Sequence, residues 1–167
     1  ARFGDDENVS YVMEMSGNGI IHIVDTVIVN HKSLMDTAGR LSALRKKWDA
    51  QVIVVDCIGI GAGVVDALYE LGDPIIQFNS SKKPTIETEQ TKYFNLRSQM
   101  WLEGGKKFSE GVVSLSGDDY TLTSQLSSCK YEYSSDGRMK VEAKDDIKKR
   151  MGASPDRADA FLMGLFA

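Results

Sequence analysis

Gln51-Val-Ile-Val-Val-Asp-Cys-Ile-Gly-Ile-Gly-Ala-Gly-Val-Val-Asp66 decides how the chain is read. Four apolar and mostly β-branched residues, Val52 to Val55, run directly into a carboxylate, Asp56. A continuous apolar run bounded by a turn predicts a buried central strand. A glycine-rich turn and a helical pattern follow it, so Asp56 stands at the carboxyl end of the strand. Open α/β sheets hold their ligands at that place. Asp56 is therefore expected to face a crevice, where it meets either a phosphate or a metal ion.

The phosphate alternative rests on Gly59-Ile-Gly-Ala-Gly63, which has the look of a dinucleotide-binding turn. The spacing is GxGxG, and Val64 stands where the third glycine of GxGxxG belongs. The next strand ends in Asn79 instead of the acid that would bind a ribose. A nicotinamide-dependent oxidoreductase is thus the weakest of three functional classes; it requires NAD binding, and none is expected. The metal alternative draws on the far end of the chain, Ser154-Pro-Asp-Arg-Ala-Asp-Ala160. Asp156 and Asp159 are three apart at a helix start and share a face. The helix dipole alone accounts for an acid at Asp156. Asp159 continues into the apolar stripe of Met163 and Phe166, where a carboxylate is costly unless it is paired or binds a cation.

Between these segments the pattern alternates strand and helix. Val9 to Met15 and Ile20 to Val29 read as strands about a Ser16-Gly-Asn-Gly19 turn, with a break near Asp25-Thr26. Ser33 to Asp49 reads as a helix capped by Ser33, with Leu34, Ala38, Leu41, Leu44 and Trp48 on one face. Ala62 to Leu71 is a helix closed by Gly72, and Pro74 to Phe78 a second parallel strand. Asn79 to Thr91 is a long polar loop. Tyr93 to Glu103 is a helix stopped by Gly104-Gly105, Val112 to Leu115 a strand and Tyr120 to Leu126 a short helix. Lys130 to Glu142 is a hairpin, Lys144 to Arg150 a charged connector, and the last helix starts with Ser154 as N-cap and Pro155 as its first residue.

The 167 residues suffice for one domain with a core, and 42% hydrophobic with 26% charged residues is ordinary globular composition. Twenty Lys and Arg against 24 Asp and Glu give a formal charge of −4, so no global basic field marks a nucleic-acid binder. Basic residues do cluster locally, at Arg45-Lys46-Lys47, Lys82-Lys83, Lys106-Lys107 and Lys148-Lys149-Arg150. Two cysteines without a CxxC argue against a disulfide framework or zinc site and suit a reducing compartment. No apolar run is long enough for a bilayer, so no membrane partner is expected.

Taken in order, Ala1-Arg-Phe-Gly-Asp-Asp6, Val54-Val-Asp-Cys-Ile-Gly-Ile-Gly-Ala-Gly-Val-Val-Asp-Ala-Leu68, Asn95-Leu-Arg97 and Ser154-Pro-Asp-Arg-Ala-Asp-Ala-Phe161 resemble the nuclease domain of phage large terminase proteins. The resemblance implies a ribonuclease H-like α/β fold, with a mixed central sheet of antiparallel meander and parallel strands flanked by helices. It implies a metal-dependent endonuclease that cuts concatemeric double-stranded DNA in genome packaging, in the cytoplasm of the host cell. By the same resemblance Asp56, Asp156 and Asp159 are metal ligands, Asp5 is an auxiliary ligand, and Lys144 is a charge stabiliser or DNA contact. The Asp156/Asp159 pair is also similar to the Holliday-junction resolvases, a related nuclease alternative. In the family the first catalytic acid normally stands about two residues before the Ala-Arg-Phe-Gly pattern, a position that this sequence does not include.

Hard oxygen ligands of this kind suit Mg2+ or Mn2+. Two such ions about 3.5–4 Å apart can activate water and stabilise the leaving oxygen. Lys82 and Lys83 on the long loop are candidate contacts to the DNA backbone. No GxxxxGK[ST] occurs, so the packaging ATPase that the resemblance implies lies elsewhere. By the resemblance the sequence is a single nuclease domain, a piece of a longer chain with that ATPase domain N-terminal to it. The portal and the small terminase subunit are the further partners that the resemblance implies. A packaging-motor module that holds DNA or portal without cutting is the second functional class.

Overall fold

The computed structural model describes residues 7–29, 33–58, 61–85 and 87–167. Strands β1 (Asn8–Met15) and β2 (Ile21–Val29) pair antiparallel, joined by a turn in which Gly19 takes φ 82°. Val12 pairs with Asp25 and Met13 with Ile23, so Val24 is the extra residue of a bulge. The break expected near Asp25 therefore falls one residue earlier. β5 (Val113–Ser114) adds to β2 in parallel. β3 (Ile53–Asp56) and β4 (Ile75–Phe78) form a parallel pair in which Asp56 stands beside Phe78. Helix α2 (Gly61–Glu70) connects them, and Gly72 follows it at φ 74°. Both parts of the expected mixed architecture are present. Among the described residues they form separate hydrogen-bonded sheets, with a third made by the β6 (Tyr131–Tyr133) and β7 (Met139–Val141) hairpin.

Helix α1 (Leu34–Trp48) starts as expected, with the Ser33 hydroxyl accepting the Asp36 amide at 3.1 Å. Its apolar face is shorter than expected. Ala38 is buried against α2 and β3, whereas Trp48 turns outward and donates its indole N–H to Asp25 at 2.7 Å. In the loop after β4, expected to lack structure, a single turn forms as α3 (Glu87–Gln90). Gln99 secures the loop by accepting the Thr85 amide at 3.0 Å.

Three helices differ most from the sequence reading. Helix α4 (Leu96–Ser109) starts later, at Asn95, whose side chain accepts the Ser98 amide, and it runs straight through Gly104-Gly105. Gly104 is there for packing: a Cβ on it would collide with Leu162 of helix α7 (Asp156–Phe166). The supposed connector is helix α6 (Lys144–Met151), closed by Gly152 at φ 78°. Its two first-turn acids and three last-turn bases suit the dipole, and Ile147 alone anchors it in the core, too little to show as a stripe. Finally, Ser154 does not cap α7. Gln125 from helix α5 (Tyr120–Ser128) does so instead, accepting the Ala158 amide at 3.0 Å while donating to the Ser154 carbonyl at 3.1 Å.

Helix α7 is the hub of the main core. Ala158, Phe161, Leu162 and Leu165 are buried among Phe78, Met100, Trp101, Leu122 and Val141. Gly164 lets Met13 of β1 approach on another side. A smaller core under α1 and α2 holds β3 from the opposite face.

Gly104→Ala should cost about 1–3 kcal/mol, because the added methyl overpacks the α4–α7 contact. Gly105→Ala, with open space at its Cβ, should stabilise by up to about 1 kcal/mol through helix propensity. Urea unfolding of the two variants checks this opposition of sign between neighbouring glycines.

Candidate active site

The carboxyl end of β3 meets the first turn of α7 at a small cleft. Asp56, Phe78, Ser80, Arg97, Met100, Lys144, Asp159 and Met163 line it. Five separate stretches of chain therefore supply its polar groups. Asp56 is placed by the turn out of β3. Its Oδ1 accepts the Ile58 amide at 3.0 Å. Gly61 opens α2 so close to the Asp56 carbonyl that a Cβ there would strike the backbone oxygen. Of the glycines first read as a phosphate cradle, Gly61 is thus required by the tight strand-to-helix turn, and Gly59 lies outside the described residues.

Asp156 and Asp159 are held by α7. Their side chains are only 9% and 18% exposed, so both need partners. Asp156 has two: its Oδ2 accepts the Glu7 amide at 3.0 Å, and its Oδ1 is 2.7 Å from the Lys144 ammonium. Asp159 Oδ1 accepts the Trp101 indole N–H at 2.8 Å and lies 3.4 Å from an Arg97 Nη. Asp159 Oδ2 is 3.9 Å from Lys144. Lys144, at the start of α6, thus spans the two acids of α7. Arg97 also donates to the Glu142 carbonyl at 2.6 Å and stacks over the Trp101 ring.

The structure brings Asp56, Asp159 and Lys144 together at the cleft, with Asp156 tied in through Lys144. Asp5 lies outside the described residues. Lys82 and Lys83 are exposed on the loop that starts at the cleft-lining Ser80, and neither lines the cleft. The sequence reading gave no role to Arg97, Trp101 or Glu7. The four-residue spacing of Arg97 and Trp101 was the available signal, since it puts a cation and a buried N–H on one face of α4. Arg157, between the two α7 acids, points away and grips Glu7 through two nitrogens, at 2.9 and 3.0 Å. It also donates to Asp119 at 2.9 Å. That clamp ties the start of β1 to α7.

Burial, and to a lesser degree Asp159, raise the Asp56 carboxyl above its ordinary value, against the opposing pull of the Ile58 amide and Lys144. Neutralisation by a nearby cation is the chemistry this carboxyl calls for. Hard oxygen donors facing one cleft fit a divalent metal such as Mg2+ or Mn2+. Among the described residues no three His, Cys, Asp or Glu side chains form one cluster, and one or two carboxylates with water and phosphate are the usual protein share of a Mg2+ site. Asp156, the remaining acid of α7, is engaged by the Glu7 amide and Lys144 instead.

No protein family's sequence profile matches the chain, and no curated protein resembles it in sequence. Solved structures do resemble it. A variant nuclease domain of the large terminase subunit of bacterial virus Sf6, solved with manganese, has a TM-score of 0.71 at 18% identity, covering 85% of this chain and 77% of that one. The large terminase nuclease of thermophilic phage G20c, with bound magnesium, has a TM-score of 0.67 at 18% identity, over 96% of this chain and 75% of that one. The large terminase nuclease domain of Thermus phage P74-26 gives 0.66 at 16% identity, over 96% and 72%. The chain has the ribonuclease H-like α/β fold of these terminase nuclease domains.

An acid whose folded pKa is raised costs stability when ionised above that pKa, and costs nothing below its unfolded value. Asp56→Asn should therefore raise the melting temperature at neutral pH. The gain should shrink as pH falls through the carboxylate range. Thermal melts of both proteins across that range measure the narrowing.

Proposed function

We propose that this domain is a divalent-metal-dependent endonuclease that cleaves concatemeric double-stranded DNA during viral genome packaging. One observation carries the reading: Asp56, from the end of a central strand, and Asp159, from the last helix, face a single cleft that also holds two cationic side chains. The metals named for the Sf6 and G20c nuclease structures accord with it. Asp56 and Asp159 would hold Mg2+ or Mn2+, with Asp156 and Asp5 as further ligands. The bound ions would supply an activated water and a stabilised leaving oxygen.

The chain's own groups have separate tasks. Lys144 offsets the charge of the α7 acids and is positioned to meet a phosphate oxygen entering the cleft. Lys82 and Lys83 extend the same electrostatic reach along the DNA backbone, which carries no sequence information. Water-filled DNA grooves need not be read, so cleavage is largely sequence-independent. The packaging ATPase domain belongs to the same longer chain, and the portal and small terminase subunit are partners of the motor in the host cytoplasm. A non-cleaving module that holds DNA or portal is the second reading. The Lys144 ammonium 2.7 Å from Asp156 accords with it, because it already neutralises an acid that the nuclease reading gives to a metal.

Plasmid nicking with Mn2+ or Mg2+ separates the two readings, using both this domain and a longer chain that includes residues upstream of Ala1. Cleavage should vanish with EDTA and with Asp56→Ala or Asp159→Ala. Cleavage that survives Asp56→Ala, or none by the longer chain, overturns the nuclease reading. Replacing Lys82 or Lys83 by Ala should weaken binding evenly across sequences and lower the salt slope by about 1 each, as read by fluorescence anisotropy over a salt series.

A further inference from the structure

Both donors on Asp159 converge on one of its two oxygens. The Trp101 indole N–H reaches Oδ1 at 2.8 Å and an Arg97 Nη reaches the same atom at 3.4 Å. Oδ2 is left on the side of Lys144, 3.9 Å away. The donors are themselves immobilised. Trp101 is only 7% exposed and packs in the main core. Arg97 is fixed by the Glu142 carbonyl at 2.6 Å, and its guanidinium lies 5.4 Å from the centre of the Trp101 ring. The two residues are one turn apart on α4, so a single rigid helix presents both N–H groups.

A buried indole needs an acceptor, and a backbone carbonyl would satisfy it. Here the acceptor is a carboxylate of the cleft, and a cation takes the same oxygen. The arrangement fixes the rotation of the carboxylate and leaves the opposite oxygen for the cleft. We infer that Trp101 and Arg97 are positioning residues: they lock Oδ1 of Asp159 so that Oδ2 is presented to a divalent cation. The inference rests on the metal-dependent reading above. Donors that orient a metal-ligating carboxylate commonly set affinity as well as geometry.

Trp101→Phe removes the N–H and keeps the ring for packing and for Arg97. Calorimetric titration with Mn2+ should show affinity reduced roughly 10–100-fold. A lower melting temperature with unchanged Mn2+ affinity would make Trp101 merely structural and overturn the inference, leaving the metal reading standing. Failure of the unaltered protein to bind Mn2+ overturns both.

A second measurement needs no folded variant at position 101. The chain has two tryptophans. Trp48 donates to Asp25 at 2.7 Å and does not line the cleft, so it is an internal control. Titration with Mg2+ should shift the Trp101 indole N–H resonance in a proton–nitrogen NMR spectrum and leave that of Trp48 in place. The two signals are assigned with Trp48→Phe. No shift of the Trp101 signal, or equal shifts of both, sinks the positioning role.

Discussion

Helix α7 packs closely on its neighbours where two glycines leave room for their side chains. Gly104 on α4 admits Leu162, and Gly164 on α7 itself admits Met13 from β1. A Cβ at either glycine would meet the end of that side chain, so Leu162 or Met13 would have to shift. Once seated, Phe161, Leu162 and Leu165 are buried, and each is worth about 1.5–3 kcal/mol of hydrophobic stabilisation. The tilt and depth of the helix follow from that packing. The place of its first turn follows in consequence, and with it the place of Asp156 and Asp159.

Putting carboxylates at the end of such a buried helix is expensive, and the surroundings show how the cost is offset. Asp156 takes a backbone amide and an ammonium, and Asp159 takes an indole, a guanidinium and a more distant ammonium. Buried charges persist when they are paired and hydrogen-bonded in this way. Asp56 is the exception. Its partners are one amide and the field of Lys144, too little to counter burial, and its carboxyl is held above the ordinary range. The charge imbalance of the cleft is therefore concentrated on β3, at the residue closest to the tight turn that Gly61 permits.

What the sequence made legible was local. β3, α2 and β4 announce themselves through an apolar run, a helical pattern and glycines in sequence, and the β6–β7 hairpin through its Ser134-Ser-Asp-Gly137 turn. Asp56 could be singled out for the same reason, as a carboxylate at the end of a strand. Features that depend on distant partners were misread. Gly104 looked like a helix stop because its Leu162 neighbour is far along the chain. Ser154 looked like a cap because Gln125, which takes that task, belongs to another helix. Helix α6 was hidden because burial of Ile147 alone leaves no periodic stripe. Trp101 was one residue of a predicted helix, and its role shows only where Asp159 lies beside its indole.

The first turn of α7 also ties the start of β1 to the last helix. Successive residues on a helix point about 100° apart, so Asp156 and Asp159 share a side while Arg157 faces another. The two sides have different duties. Arg157 grips Glu7 and Asp119, and the Glu7 amide returns to Asp156. A residue at the start of β1 is thus closed onto one near the end of the chain by a side-chain pair and a backbone hydrogen bond together. Both contacts join partners separated by nearly the whole sequence, so in the folded protein they hold β1 and α7 together. The orientation of Asp156 is consequently a property of the tertiary fold: the contacts that seat the helix also build the acidic side of the cleft.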